Sequence, residues 1–137
     1  MLESLNITRA VMFQIAASSL LLALVACADR IDYDKGASLT GGDPNAGKEK
    51  IVQHDCHSCH AIPGIPVNAD ARGPALNHWA RRSTIAKKWP NNPENLEDFL
   101  EHPDRMSHGQ GMKTEMTMPT IRPADAKDIA AFLFSID

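Results

Sequence analysis

The sequence predicts an all-α domain of three to five helices over residues 43–137. Asp43 is an N-cap acceptor and is followed by proline, which suits the first position of a helix. Two later segments carry apolar residues at helical spacing, and no part of the span has the pattern of a strand. These apolar residues are Leu96, Phe99 and Leu100 in one segment, a short helix that Asn91-Asn92-Pro93 introduces, and Ile129, Phe132, Leu133 and Ile136 in the other.

Composition limits the classes of function. The chain has 137 residues, enough for one domain, and its net charge is −3 with 5% aromatic residues. A weakly acidic chain with few aromatic side chains does not suggest nucleic-acid binding. No internal repeat is present, so a motif that occurs once is expected to serve one site.

The densest chemistry lies at residues 56–60, which read Cys-His-Ser-Cys-His. This is the attachment signature of c-type haem. Cys56 and Cys59 can each add to one haem vinyl group, and His60 is then placed to ligate the iron. A dithiol redox pair and a zinc site are the alternatives. The first would need a βαβ context, and the second would need more ligands than one Cys pair supplies.

With this motif the chain resembles the class I cytochrome c family over residues 43–137. The resemblance implies that family's all-α fold around one covalently bound haem c. It also implies that the Pro74 carbonyl accepts a hydrogen bond from His60, although Pro74 could instead begin a helix that runs to about residue 82. The family places a glycine, here Gly47, where the first and last helices cross, with an aromatic ring, here Phe132, beside it.

The same resemblance implies two further haem contacts. Met118, within Thr-Met-Pro shortly before the last helix, matches the distal iron ligand, and Met116, Met112 and His108 are its alternatives. The Trp89 indole is expected to donate to a haem propionate, or else to pack in the core.

The N-terminal segment resembles a bacterial lipoprotein signal. Residues 10–26 are uncharged and mostly apolar, and Leu-Val-Ala precedes Cys27 as in a lipobox. We therefore expect an export signal over residues 1–26, and a lipidated Cys27 with a flexible linker over residues 27–42. An uncleaved membrane anchor is the alternative. As coil, the linker would reach about 20–23 Å.

Together these features predict a function. They indicate a monohaem c-type cytochrome, lipid-anchored to a membrane in the bacterial periplasm, that passes single electrons between redox proteins and is not itself an enzyme. Its expected partners are a dehydrogenase, a cytochrome complex or a terminal oxidase. A haem sensor or small peroxidase with a labile sixth ligand is the alternative.

Overall fold

The computed structural model describes residues 30–68, 71–103 and 121–137. Four α-helices dominate these ranges and are joined by short 3₁₀ turns and one small β-hairpin. In chain order they are α1 (Tyr33–Thr40), α2 (Pro44–Gln53), 3₁₀ turns at Cys56–Ser58 and Trp79–Arg81, strands β1 (Thr84–Ile85) and β2 (Trp89–Pro90), α3 (Pro93–Glu101) and α4 (Pro123–Phe134). No helix in these ranges is both long enough and apolar enough to cross a membrane.

Side-chain caps begin two of the predicted helices. Asp43 Oδ1 accepts from the Asn45 amide at 2.9 Å, with Pro44 at the first helical position of α2. The Asn92 side chain caps α3 in the same way, accepting from the Asn95 amide at 2.8 Å. Each cap satisfies a backbone N–H that the helix itself leaves without a partner, so the predicted starts are confirmed.

The last helix, α4, forms the centre of the core, and α1, α2 and α3 all pack against it. The close crossing predicted at Gly47 is present, since a Cβ there would lie 1.9 Å from the backbone oxygen of Asp128 on α4. Phe132 is fully buried, and its ring centroid lies 6.1 Å from that of Tyr33 on α1. The predicted all-α architecture, with helices packed around a common core, is therefore confirmed.

The expectation of a flexible linker is wrong for residues 33–40. They form α1, capped at its start by Asp32 and at its end by Gly41 in the left-handed conformation. An eight-residue helix is marginal in water, so it depends on tertiary packing that a sequence pattern does not show. Glycine at position 36 favoured coil in the sequence, whereas in the fold it allows α1 to approach α4 closely.

One smaller expectation and one alternative are also corrected. The span contains a strand pair, with Ile85 opposite Trp89, and each strand is only two residues long and hence below the length that gives a sequence signal. Between Pro74 and Arg82, a stretch that the structure describes in full, no α-helix forms, and only the 3₁₀ turn Trp79–Arg81 is present.

Helix α4 begins without a side-chain cap. Its N-cap residue, Arg122, binds Asp125 within the first turn.

Candidate haem site

The Cys-His-Ser-Cys-His motif lies directly after α2. Asp55 adopts a left-handed backbone (φ 57°), which turns the chain out of α2 and into the 3₁₀ turn Cys56–Ser58. Cys56 is half-buried and Cys59 is exposed, and neither sulfur takes part in a disulfide. Burial, with smaller effects from the neighbouring Asp55 and Cys59, raises the pKa of the Cys56 thiol. The two sulfurs are thus carried on one turn, three positions apart.

His60 is oriented by one hydrogen bond. Its Nδ1 lies 2.8 Å from the carbonyl oxygen of Pro74, the contact expected from the sequence. A carbonyl can only accept, so Nδ1 carries the proton, and Nε2 keeps the lone pair that a metal ligand needs. Such a bond also makes the imidazole a more basic ligand.

Two backbone hydrogen bonds, one on each side of the His60–Pro74 contact, hold the two segments together. The Gly73 amide donates to the Cys59 carbonyl at 2.7 Å, and the Leu76 amide donates to the Ala61 carbonyl at 2.8 Å. A Cβ on residue 73 would lie 2.7 Å from atoms of the His60 ring. The absence of a side chain at Gly73 therefore allows the segment that contains Pro74 to approach the His60 ring.

A second polar group follows Pro74 and was not predicted. The Arg82 guanidinium donates to the backbone oxygens of Ala75 and Asn77, the latter at 2.8 Å, and lies over the Trp79 ring at 5.1 Å. Burial lowers the pKa of Arg82. The Trp79 side chain is buried, and its indole N–H has no partner among the described residues. Asn91 ties the same turn together by donating to the Trp79 carbonyl at 2.9 Å.

An ionic cluster joins α2 to the start of α4. The buried carboxylate of Asp125 lies 3.1 Å from Arg122, 3.5 Å from Lys50 and 3.4 Å from His54 Nε2. Burial opposes ionisation of this carboxyl, but the hydrogen bonds from Arg122 and His54 and the charges of Arg122 and Lys50 outweigh it and lower the pKa of Asp125. The i, i+3 spacing of Arg122 and Asp125 was a local signal of this pair, whereas His54 had none.

Residues 45–137 match the family model described as Cytochrome c. The chain belongs to the cytochrome c family. Proteins of this family bind haem c covalently, and a monohaem class I domain binds one haem. This cytochrome is therefore an electron-transfer protein with a single covalent haem c.

Two of the proteins similar to this chain illustrate the relationship. Cytochrome c oxidase subunit 2 of Alkalihalophilus pseudofirmus is 29% identical over 116 residues, covering 79% of this chain and 32% of that protein. The chain thus spans about a third of the length of this relative. The crystal structure of cytochrome c2 from Rhodobacter sphaeroides superposes with a TM-score of 0.55 at 23% identity, covering 69% of this chain and 96% of that one. The second likeness confirms the cytochrome c fold.

The residues of this cytochrome fit a haem. In the neutral His60 imidazole, the bond from Nδ1 to Pro74 leaves the lone pair on Nε2, and the Cys56 and Cys59 sulfurs lie on the turn just before it. The buried N–H of Trp79 is a donor without an acceptor among the described residues. A propionate carboxylate is an acceptor of that kind, and Arg82 beside the indole adds positive charge. Trp89, the donor expected from the sequence, is half-buried with Lys88 over its ring at 5.1 Å, and its role stays a prediction.

Two predicted site residues lie outside the described residues. These are the predicted distal ligand Met118, together with its alternatives His108, Met112 and Met116, and the predicted lipidation site Cys27. Both remain predictions. Among residues 30–68, 71–103 and 121–137, no group of three or more His, Cys, Asp or Glu is placed to hold a metal ion by itself.

Proposed function

We propose that this protein is a membrane-tethered monohaem cytochrome that passes single electrons between redox proteins of the bacterial periplasm. The observation that carries the proposal is the 2.8 Å hydrogen bond from His60 to Pro74, which leaves Nε2 as the ligating nitrogen. The haem supplies reversible one-electron chemistry at iron. The chain supplies two thioether sulfurs from Cys56 and Cys59, the proximal imidazole, and buried donors for a carboxylate.

The covalent attachment has a direct test. The haem should stay with the wild-type polypeptide through acid–acetone extraction, because thioether bonds survive it. Cys56→Ser or Cys59→Ser leaves a single bond and should shift the absorption band of the reduced protein, and the double variant should release all haem. Ser58→Ala, within the same turn, is the matched control and should retain it. Full release from the wild type would refute the assignment of both cysteines.

The sixth ligand decides between electron transfer and ligand binding. Met118 as distal ligand gives a closed iron whose soft thioether favours Fe(II). Met118→Ala should therefore lower the reduction potential and allow carbon monoxide to bind rapidly to the reduced protein. Met116→Ala is the control and should behave as the wild type. Rapid carbon monoxide binding by the wild type would instead indicate the sensor or peroxidase alternative.

The tether and the partners complete the proposal. Lipidation of Cys27 would hold the haem domain at a periplasmic membrane surface. The likeness to a cytochrome c oxidase subunit 2 supports a terminal oxidase among the partners, beside a dehydrogenase or a cytochrome complex. Mass spectrometry of the mature protein tests the tether, since it should begin at Cys27 and carry acyl groups. Cys27→Ser should leave an uncleaved precursor.

A further inference from the structure

The chain that precedes the family domain is bound along the haem domain. Backbone hydrogen bonds join residue 30 to residue 137 in both directions, from Arg30 N to Asp137 O at 3.3 Å and from Asp137 N to Arg30 O at 2.8 Å. The Asp32 amide donates to the Ser135 carbonyl at 2.7 Å. Residues 30–32 thus pair antiparallel with the end of the chain, with Ile31 opposite Ile136. We call residues 30–42 the strap.

Helix α1 of the strap is packed tightly on α4. A Cβ on Gly36 would lie 2.0 Å from the Ala131 carbonyl oxygen and 2.2 Å from Ser135 Oγ, so the two helices meet at backbone distance. The Tyr33 ring lies beside the Phe132 ring, and Lys35 pairs with Asp137. Side-chain, backbone and ionic contacts therefore all fix the same segment.

Because residues 30–42 are packed on the domain, the flexible connection between Cys27 and the domain is much shorter than a coil over residues 28–42 would be. Only three peptide steps separate Cys27 from Arg30, and a fully extended chain spans at most about 11 Å over them. A coil over residues 28–42 would have reached about 20–23 Å. A lipid on Cys27 would therefore attach the domain beside the pairing of residues 30–32 with residues 135–137, so the point of attachment would be defined as well as its length.

We propose that the strap holds the haem domain at the membrane surface in a restricted orientation, with the paired residues 30–32 and 135–137 toward the lipid. The partner surface is the bilayer itself. This inference rests on the proposed lipid anchor at Cys27. Restricted orientation means that one face of the cytochrome is presented repeatedly to a neighbouring membrane complex, which raises its effective concentration there without any new contact.

Docking of the strap can be tested without a membrane, by hydrogen exchange in the holoprotein. The Asp32 amide should exchange slowly in the wild type, because it is bonded to Ser135. Gly36→Val should accelerate it by about 5- to 140-fold, the factor that corresponds to an overpacking cost of about 1–3 kcal/mol. If that variant does not fold, Tyr33→Ala removes a contact of the same interface by truncation. Leu39→Ala, on the exposed side of α1, is the control and should leave the rate unchanged.

Orientation is then tested on the full-length lipidated holoprotein in aligned bilayers, by linear dichroism of the haem absorption. The wild type should show a definite dichroism, and a flexible Gly-Ser insertion of about twelve residues after Ala28 should remove most of it. An isotropic wild type whose Cys27 carries lipid would overturn the proposal, as would rapid exchange of the Asp32 amide. Absence of lipid on Cys27 would overturn the anchor and the membrane orientation together, while slow exchange would still show a docked strap.

Discussion

The orientation of His60 depends on Gly73, a residue with no side chain. Gly73 lets Pro74 approach the His60 ring, and the resulting bond sets both the orientation and the tautomer of the imidazole. A second residue of interest at this scale is Asp125, whose buried carboxylate is kept ionised by three cationic or protonatable side chains. A substitution at each of these two residues has a testable outcome.

Gly73→Ala should raise the reduction potential. Its Cβ would lie 2.7 Å from the ring, so the ring or the loop must move and the bond to Pro74 must weaken. A less basic imidazole stabilises Fe(III) less, and such changes around a ligand typically alter its binding by about 10–100-fold. Potentiometric titration measures the shift. Asn77→Ala, an exposed position on the same loop, should leave the potential unchanged, and an equal shift there would contradict the role of Gly73.

Asp125→Asn should make stability less dependent on pH in acid. The native pKa of Asp125 lies below its ordinary value of 3.8, so the carboxylate stabilises the fold above that pH. The contribution is lost as the pH falls through the native pKa. The difference in free energy of unfolding between wild type and variant should therefore be largest near pH 6 and shrink below about pH 4. Asp34→Asn, exposed on α1, is the control, and a difference independent of pH would refute the argument.

Among the elements, α4 contributes most to the core. Eight of its twelve residues are buried, and α1, α2 and α3 cover it from different sides. It has no side-chain cap, so contacts along its length, including the Arg122–Asp125 pair, stabilise it in place of an N-terminal hydroxyl or carboxylate. At Gly47, α2 and α4 meet at backbone distance.

Gly47→Ala should destabilise the fold although alanine favours helix. The added Cβ would lie 1.9 Å from the Asp128 carbonyl oxygen, and backbone cannot move aside as a side chain can. Overpacking of this kind costs about 1–3 kcal/mol, more than the roughly 1 kcal/mol gained in helix propensity. Chemical denaturation measures the change. Glu49→Ala, exposed on the same helix, should be nearly neutral, and a stabilised Gly47→Ala variant would contradict the close crossing.

At the scale of the whole molecule, one feature of the surface is a division of charge: between residues 72 and 101, cations and acidic residues occupy separate stretches of chain. The sequence places cations at Arg72, Arg81, Arg82, Lys87 and Lys88, and acidic residues along α3. In the structure, two of these five cations are engaged within the protein. Arg82 turns inward to the Ala75 and Asn77 carbonyls, and Arg81 lies 3.9 Å from Asp137. Arg72 and Lys87 remain exposed, and they are the cations we expect to steer a partner.

Electron transfer to a membrane partner should therefore depend on salt. Steering accelerates association by about 10–10³-fold and is screened over about 10 Å at 0.1 M salt. Lys87→Gln should weaken the dependence of the bimolecular rate on ionic strength. Lys127→Gln makes the same charge change on α4 and should not. A wild-type rate that is constant across ionic strength would refute steering.

The sequence by itself determined what local chemistry can encode. The attachment motif, the helix starts at Asp43 and Asn92, the apolar spacing of α3 and α4, and the Pro74 contact to His60 all follow from short spacings or from family resemblance. Tertiary structure alone decided the rest. Helix α1 is too short to form without α4, the turn that carries Trp79 packs on α4, and His54 meets Asp125 from a distant part of the chain. Arg82 leaves the charged surface for backbone carbonyls that only the folded loop brings together. These features depend on contacts that form only when the chain folds, and a local pattern does not specify them.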